Sequence, residues 1–146
     1  MGKSKRVDLS QNRKAVLYCR VASESSEAIK SQETMLRVYA KEQRYDIVAV
    51  YADNGVSGIG FDRPALNRLN EDIDAGLVKT VIVKDLARIS RSAFDISDWI
   101  DRVRGKGVSF VSVMDGIGDN TLDDKVNVFP QLCREYLRKQ RKRPPL

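Results

Sequence analysis

Histidine is absent from this 146-residue chain. Its absence excludes Ser-His-Asp and Cys-His catalysis and removes the commonest metal ligand. Cysteine is scarce: Cys19 lies in an apolar run and Cys133 in a late helical stretch, which reads as two reduced core residues rather than a bridge. No apolar stretch approaches the length that spans a bilayer, and the first residues lack the apolar core of a secretory signal. A cytoplasmic protein with no membrane partner is expected. Glycine signatures for nucleotides are missing too, because no Gly-rich loop ends in Gly-Lys-Ser/Thr and no Gly-x-Gly-x-x-Gly follows the first apolar run. Neither a metal nor a small-molecule cofactor is expected.

What remains is an ordinary composition with uneven charge. A hydrophobic fraction of 42% and a charged fraction of 32% suit a single soluble globular domain of this length. Residues 1–14 carry Lys3, Lys5, Arg6, Arg13 and Lys14 against Asp8, a net +4. Residues 134–143 carry Arg134, Arg138, Lys139, Arg141, Lys142 and Arg143 against Glu135, a net +5, which leaves the body between them at −3 of the total +6. Cationic ends on a mildly acidic body point to a polyanion gripped by the ends, with solvated tails as the plain alternative.

Strand-like and helix-like stretches alternate along the chain. Apolar runs at 14–21, 47–51, 80–84 and 109–113 read as buried strands. Helical spacing occupies about 26–43, from Ser25 or Ser26; a second helix starts at Asp62-Arg63-Pro64 and stops at Gly76; a third covers about 93–105. A last helix runs from about Pro130 until Pro144-Pro145 stops it. The pattern predicts a three-layer α/β fold, with a mainly parallel four- to five-stranded sheet, helices on both faces, and a C-terminal basic helix.

In such a sheet the functional crevice lies at the carboxyl ends of the strands. Arg20 ends the first apolar run, and Arg88 and Arg91 follow the third, so the three should converge on one rim beside Ser23, Ser90 and Ser92. Guanidinium forks gathered in one place suit a phosphodiester. Asp53 and Asp85, at successive strand ends, could instead hold magnesium, but the neighbouring arginines argue against a cation there. Arg20 at a buried strand end is costly without an anion partner, which favours a functional role. Gln32 on an apolar stripe also fits a hydrogen-bonded core residue, and Arg63 could simply pair with Asp62 or Glu71.

Tyr18-Cys-Arg20-Val21 followed by a hydroxyl, Gln32, Tyr51-Ala-Asp-Asn-Gly-Val-Ser-Gly58, Arg63-Pro64-Ala-Leu66 and Leu86-Ala-Arg88-Ile-Ser-Arg91-Ser occur in that order. Together they resemble the catalytic domain of the serine site-specific recombinases, the resolvase/invertase family, over about residues 14–116. The resemblance implies a serine that attacks a phosphodiester of double-stranded DNA and forms a 5′-phosphoseryl link, with no metal or cofactor. It implies Ser23 as the best available nucleophile, with Arg20, Gln32, Arg63, Arg88 and Arg91 around the scissile phosphate. It also implies a homodimer or homotetramer. The expected organisation is a disordered basic arm at 1–13, a catalytic domain at 14–128, and a basic helix and tail at 129–146. Arg138, Lys139, Arg141, Lys142 and Arg143 in that tail would touch DNA phosphates. Relatives usually carry a DNA-binding domain after the long helix, so a truncated or minimal stand-alone protein is expected.

Two positions depart from the family pattern. The nucleophile should directly follow Arg-Val, where this chain has Ala22, and Ser23 comes one residue later. On a regular strand that shift turns the side chain to the opposite face, so Ser23 serves only if the strand has ended or bulges. Ala87 stands where many relatives have aspartate. Ala22 admits a nucleophile shifted to Ser23, a silent homologue that keeps only DNA binding or oligomerisation, or an engineered knockout. Ser25 and Ser26 read better as helix caps. A phospho-receiver domain using Asp53 or Asp85 is a third, weaker reading.

Overall fold

The computed structural model describes residues 13–56 and 63–118. The expectations for the arm at 1–12, for Ser57 and Gly58, for Cys133 and for the basic tail at 129–146 lie outside them. Four strands, β1 (Lys14–Val21), β2 (Asp46–Asn54), β3 (Thr80–Val83) and β4 (Ser109–Ser112), form one sheet in the order β2-β1-β3-β4. Every neighbouring pair is parallel. Helices α1 (Ser26–Glu42), α2 (Pro64–Asp74) and α3 (Ala93–Gly105) make the crossovers, and a short 3₁₀ turn (Leu86–Arg88) follows β3.

Alternation along β1 decides the layers. Val16 and Tyr18 belong to a core with Leu66, Leu69 and Ile73 of α2 and Ile96, Trp99, Ile100 and Val103 of α3. Ala15, Leu17 and Cys19 belong to the opposite core, with Leu36 and Ala40 of α1. Successive strand side chains point to opposite faces, so one apolar run serves both cores. The three-layer architecture stands as expected.

β2 departs from the expected doubly buried strand. It runs three residues beyond Tyr51, to Asn54, and only Tyr51 and Asp53 are buried in it. The reason is its edge position beside β1. A strand with a neighbour on one side only leaves much of its surface to solvent. Local chemistry explains the other boundaries. Ser25 caps α1 through its side chain, which accepts from Ala28 N–H at 3.0 Å. At the other end of α1, Arg44 adopts a left-handed φ of 64°, while Tyr45 N–H bonds to Ala40 C=O and Arg44 N–H to Lys41 C=O. That is the bonding of a Schellman stop. Ser92 caps α3 in the same manner as Ser25 caps α1.

Cys19 is fully enclosed. Burial pushes its thiol up to about 12, with the nearby Glu33 carboxylate adding to the effect. Because the thiolate is the nucleophile, Cys19 should stay unalkylated by iodoacetamide at mildly alkaline pH while the protein is folded, and react once urea unfolds it. Peptide mass mapping after each treatment checks this; labelling of Cys19 in the native state would contradict the burial.

Candidate active site

The strand order changes direction between β1 and β3, and the crevice at that switch point is where open α/β sheets place their ligands. Arg20 stands at the end of β1 and is only 2% exposed. β1 pairs with β3 through Val16 and Leu17 alone, so its upper end has no strand on that side. Gln32 fills the gap from α1. Its Oε1 accepts from Arg20 N–H at 3.0 Å and its Nε2 donates to Arg20 C=O at 3.2 Å. The buried Gln32 thus acts on the backbone of Arg20, in the manner of a missing strand.

The guanidinium of Arg20 is spread over backbone carbonyls. Nε donates to Arg88 C=O at 3.1 Å, one terminal nitrogen to Val56 C=O at 2.8 Å, and the other to Ala87 C=O at 2.7 Å. Three of its five N–H donors are therefore engaged in holding the 3₁₀ turn and Val56, just beyond β2. Arg88 answers in kind, donating to Arg20 C=O at 3.0 Å. Arg63, which precedes α2, donates to the carbonyls of Arg88 and Ile89 and to the Tyr18 hydroxyl. It is not paired with Glu71 by an ion pair among the described residues.

Arg20, Arg63 and Arg88 therefore do meet, through the turn at 86–89, while Arg91 is exposed just before the cap of α3. Burial first, then the Arg63 charge, with Arg88 and Arg91 in the same sense, lowers the pKa of the Arg20 guanidinium. Like charges gathered in a shielded place make a strong anion site. Two carboxylates, Asp85 and Asp53, lie nearby. Asp85 stands 3.3 Å from Arg88 Nε, but the pair lacks hydrogen-bond alignment, and Arg63 Nε has no partner among the described residues.

The other carboxylate has a different task. Asp53 is 2% exposed, and its oxygens accept from Ala65 N–H at 2.8 Å, Leu66 N–H at 3.1 Å and Tyr18 O–H at 2.7 Å. Arg63 occupies the N-cap position of α2 without capping it, so Asp53 caps that helix from β2. Tyr18 then links Asp53 to Arg63, accepting from the guanidinium at 2.9 Å. Burial and the hydrogen bond to Asp53 raise the Tyr18 pKa well above its ordinary value, against the lowering effect of Arg63, so the hydroxyl stays neutral. Magnesium is a poor fit to an Asp53 carboxylate committed in this way and to an Asp85 that faces Arg88. Sequence reasoning missed two positioning residues here, Tyr18 and Asp115. The Asp115 carboxylate accepts from Leu86 N–H at 2.9 Å and from the Ser112 hydroxyl at 2.6 Å, and so fixes the start of the 3₁₀ turn.

β1 stops at Val21, where Val21 C=O accepts from Gly55 and Val56 N–H, and Ala22 and Ser23 follow in an exposed bend. The strand has ended before Ser23, so the alternation that would turn its side chain away no longer applies.

The family model for the N-terminal domain of resolvases matches residues 15–141. The chain belongs to the resolvase family. A resolvase from Clostridium perfringens is 34% identical over 112 residues, covering 77% of this chain and 55% of that protein. The chain thus spans about half the length of that relative. Among solved structures, the N-terminal catalytic domain of TP901-1 integrase superposes with a TM-score of 0.73 at 29% identity, covering 88% of this chain and 97% of that one. A resolvase family site-specific recombinase from Streptococcus pneumoniae gives a TM-score of 0.65 at 30% identity, covering 87% and 91%. In this resolvase domain the fold is that of a serine recombinase catalytic domain. No helix among the described residues is long and apolar enough to cross a membrane.

Proposed function

We propose that this domain cleaves and rejoins double-stranded DNA, with Ser23 as nucleophile. The observation that supports this most is the meeting of Arg20, Arg63 and Arg88 at one switch-point crevice, where Asp85 faces Arg88 and Asp53 reaches Arg63 only through Tyr18. In the reaction, Ser23 Oγ attacks phosphorus and loses its proton, an O–P bond forms to the 5′ side, and the P–O3′ bond breaks to leave a protonated 3′-hydroxyl. A 3′-hydroxyl attacks the phosphoseryl bond after strand exchange, which returns the serine. One phosphoester replaces another at each step, so the cycle is close to thermoneutral and needs no external energy source.

Arginine charge supplies the stabilisation of the pentacoordinate phosphorane. A preorganised donor of that kind is worth a factor of about 100–1,000 in rate. Burial divides the labour: exposed Arg91 and half-buried Arg88 take the phosphate oxygens, while the buried Arg20 and Arg63, tied to carbonyls, hold the turn and add their field from behind. Gln32 keeps the end of β1 in register with that turn. Arg138, Lys139, Arg141, Lys142 and Arg143 bind flanking phosphates by charge alone. A homodimer or homotetramer in the cytoplasm completes the proposal, since strand exchange requires several cut ends held together.

Incubation with supercoiled plasmid, followed by denaturation, is expected to leave protein covalently attached to 5′ DNA ends. Plasmid that is bound but never joined to protein would identify a silent DNA-binding module instead and would end the catalytic proposal.

A further inference from the structure

At the opposite end of the strands from the arginine crevice lies a groove of about 530 Å³, between the end of α1 and the start of β2. Arg37, Lys41, Arg44, Tyr45, Asp46 and Ile47 line it. Arg13 packs behind the lining: its guanidinium stacks 4.1 Å from the Tyr45 ring centroid, and its Nε donates to Gln43 C=O at 3.1 Å. Arg37 is balanced by Glu33 at 2.8 Å. Arg13, Lys41 and Arg44 form no ion pair among the described residues, and Asp46 is the one acidic residue in the lining.

A single cation in the last turn of a helix is explained by the helix dipole. Three more cations around one concavity exceed what the dipole asks for. Arg44 also holds a left-handed backbone, where glycine or asparagine is the less strained choice. Directly before Arg13 the sequence adds Lys3, Lys5 and Arg6 against Asp8, so the positive charge continues along the chain. Positive charge at the groove that continues in the adjacent sequence matches a repeating anion. An acidic protein partner would ordinarily need a buried aromatic or aliphatic anchor as well, and Tyr45 is already buried under Arg13.

We propose that this groove is a second, sequence-independent contact for the phosphate backbone of duplex DNA. Arg13 and Arg20 are separated along β1 by about 23 Å at roughly 3.3 Å per residue. The groove therefore meets a stretch of backbone other than the phosphate at the crevice. This inference rests on the reading of the domain as one that acts on DNA.

The test compares the whole chain with its Lys41→Gln/Arg44→Gln variant, using a duplex of arbitrary sequence and fluorescence anisotropy across a salt series. Two lost phosphate contacts should lower affinity roughly tenfold or more and reduce the log–log salt slope by about 1.8. Adduct formation per bound plasmid should not change. Arg44→Gly, which suits the left-handed backbone, should weaken binding without loss of fold by circular dichroism. Unaltered affinity and slope in the double variant would overturn this inference alone. Failure of the unaltered protein to bind any duplex would overturn both it and the proposed function. An equal loss of binding to polyglutamate, with duplex binding intact, would assign the groove to an acidic protein and also end the proposal.

Discussion

Ser23→Ala is expected to lower covalent DNA attachment by roughly 10⁴-fold or more, the usual consequence of deleting a nucleophile while its surroundings persist. The stop of β1 at Val21 gives this prediction its content. Had the strand continued, Ser23 would share the face of Cys19 and α1, away from Arg20. With both Ala22 and Ser23 in the exposed bend, a shift of one residue is a short displacement along a turn. The companion variant Ala22→Ser distinguishes the explanations of Ala22. An active parent that dies with Ser23→Ala has moved its nucleophile by one position. An inactive parent awakened by Ala22→Ser has a competent crevice and a vacant nucleophile position. If both parent and Ala22→Ser fail to form adducts while still binding DNA, the arginine crevice serves binding alone. Retention of full adduct yield by Ser23→Ala would refute Ser23 as the attacking group.

Asp53→Ala should destabilise the domain by about 3–5 kcal/mol. Its two oxygens satisfy two backbone N–H groups of α2 and the Tyr18 hydroxyl, all buried. Each orphaned buried donor costs about 1–3 kcal/mol, with some recovery as the site relaxes. The buried Arg63 guanidinium would also lose the carboxylate it reaches through Tyr18. Urea titration measures the effect as a shift in midpoint. Tyr18→Phe, which keeps the ring against Arg63 and removes only the hydroxyl, should cost less, about 1–2 kcal/mol. If Asp53→Ala proved near neutral, the helix cap and the linked arginine would have no structural weight, and Asp53 would have to be reconsidered as a group reserved for chemistry.

The parts of this domain that were legible in advance share a cause. β1 runs over Lys14–Val21 and α3 over Ala93–Gly105, both as periodicity indicates, because one side of each must be apolar to be buried. The cap at Ser25 is equally local, since a side chain and the N–H three residues on meet whenever the helix forms; Ser92, expected beside the arginines, turns out to cap α3 in the same way. β2 was legible as a strand but not as an edge, because neighbours in a sheet are chosen by crossover connections rather than by the strand itself.

The residues of the crevice divide along the same line. Arginines after β1 and β3 are a matter of sequence, and the rule that parallel strands open at their carboxyl ends was enough to bring Arg20 and Arg88 together. What each guanidinium holds was decided by packing. Arg20 reaches the carbonyl of Ala87 across 67 positions of chain, Arg63 reaches that of Ile89 across 26, and Asp53 bonds the Ala65 N–H of α2 across 12. Residue types and spacing determine the period of an element and the charge at its end. Carbonyls become partners only when the tertiary fold has buried them beyond the reach of water, and that decision belongs to the assembled sheet and its helices.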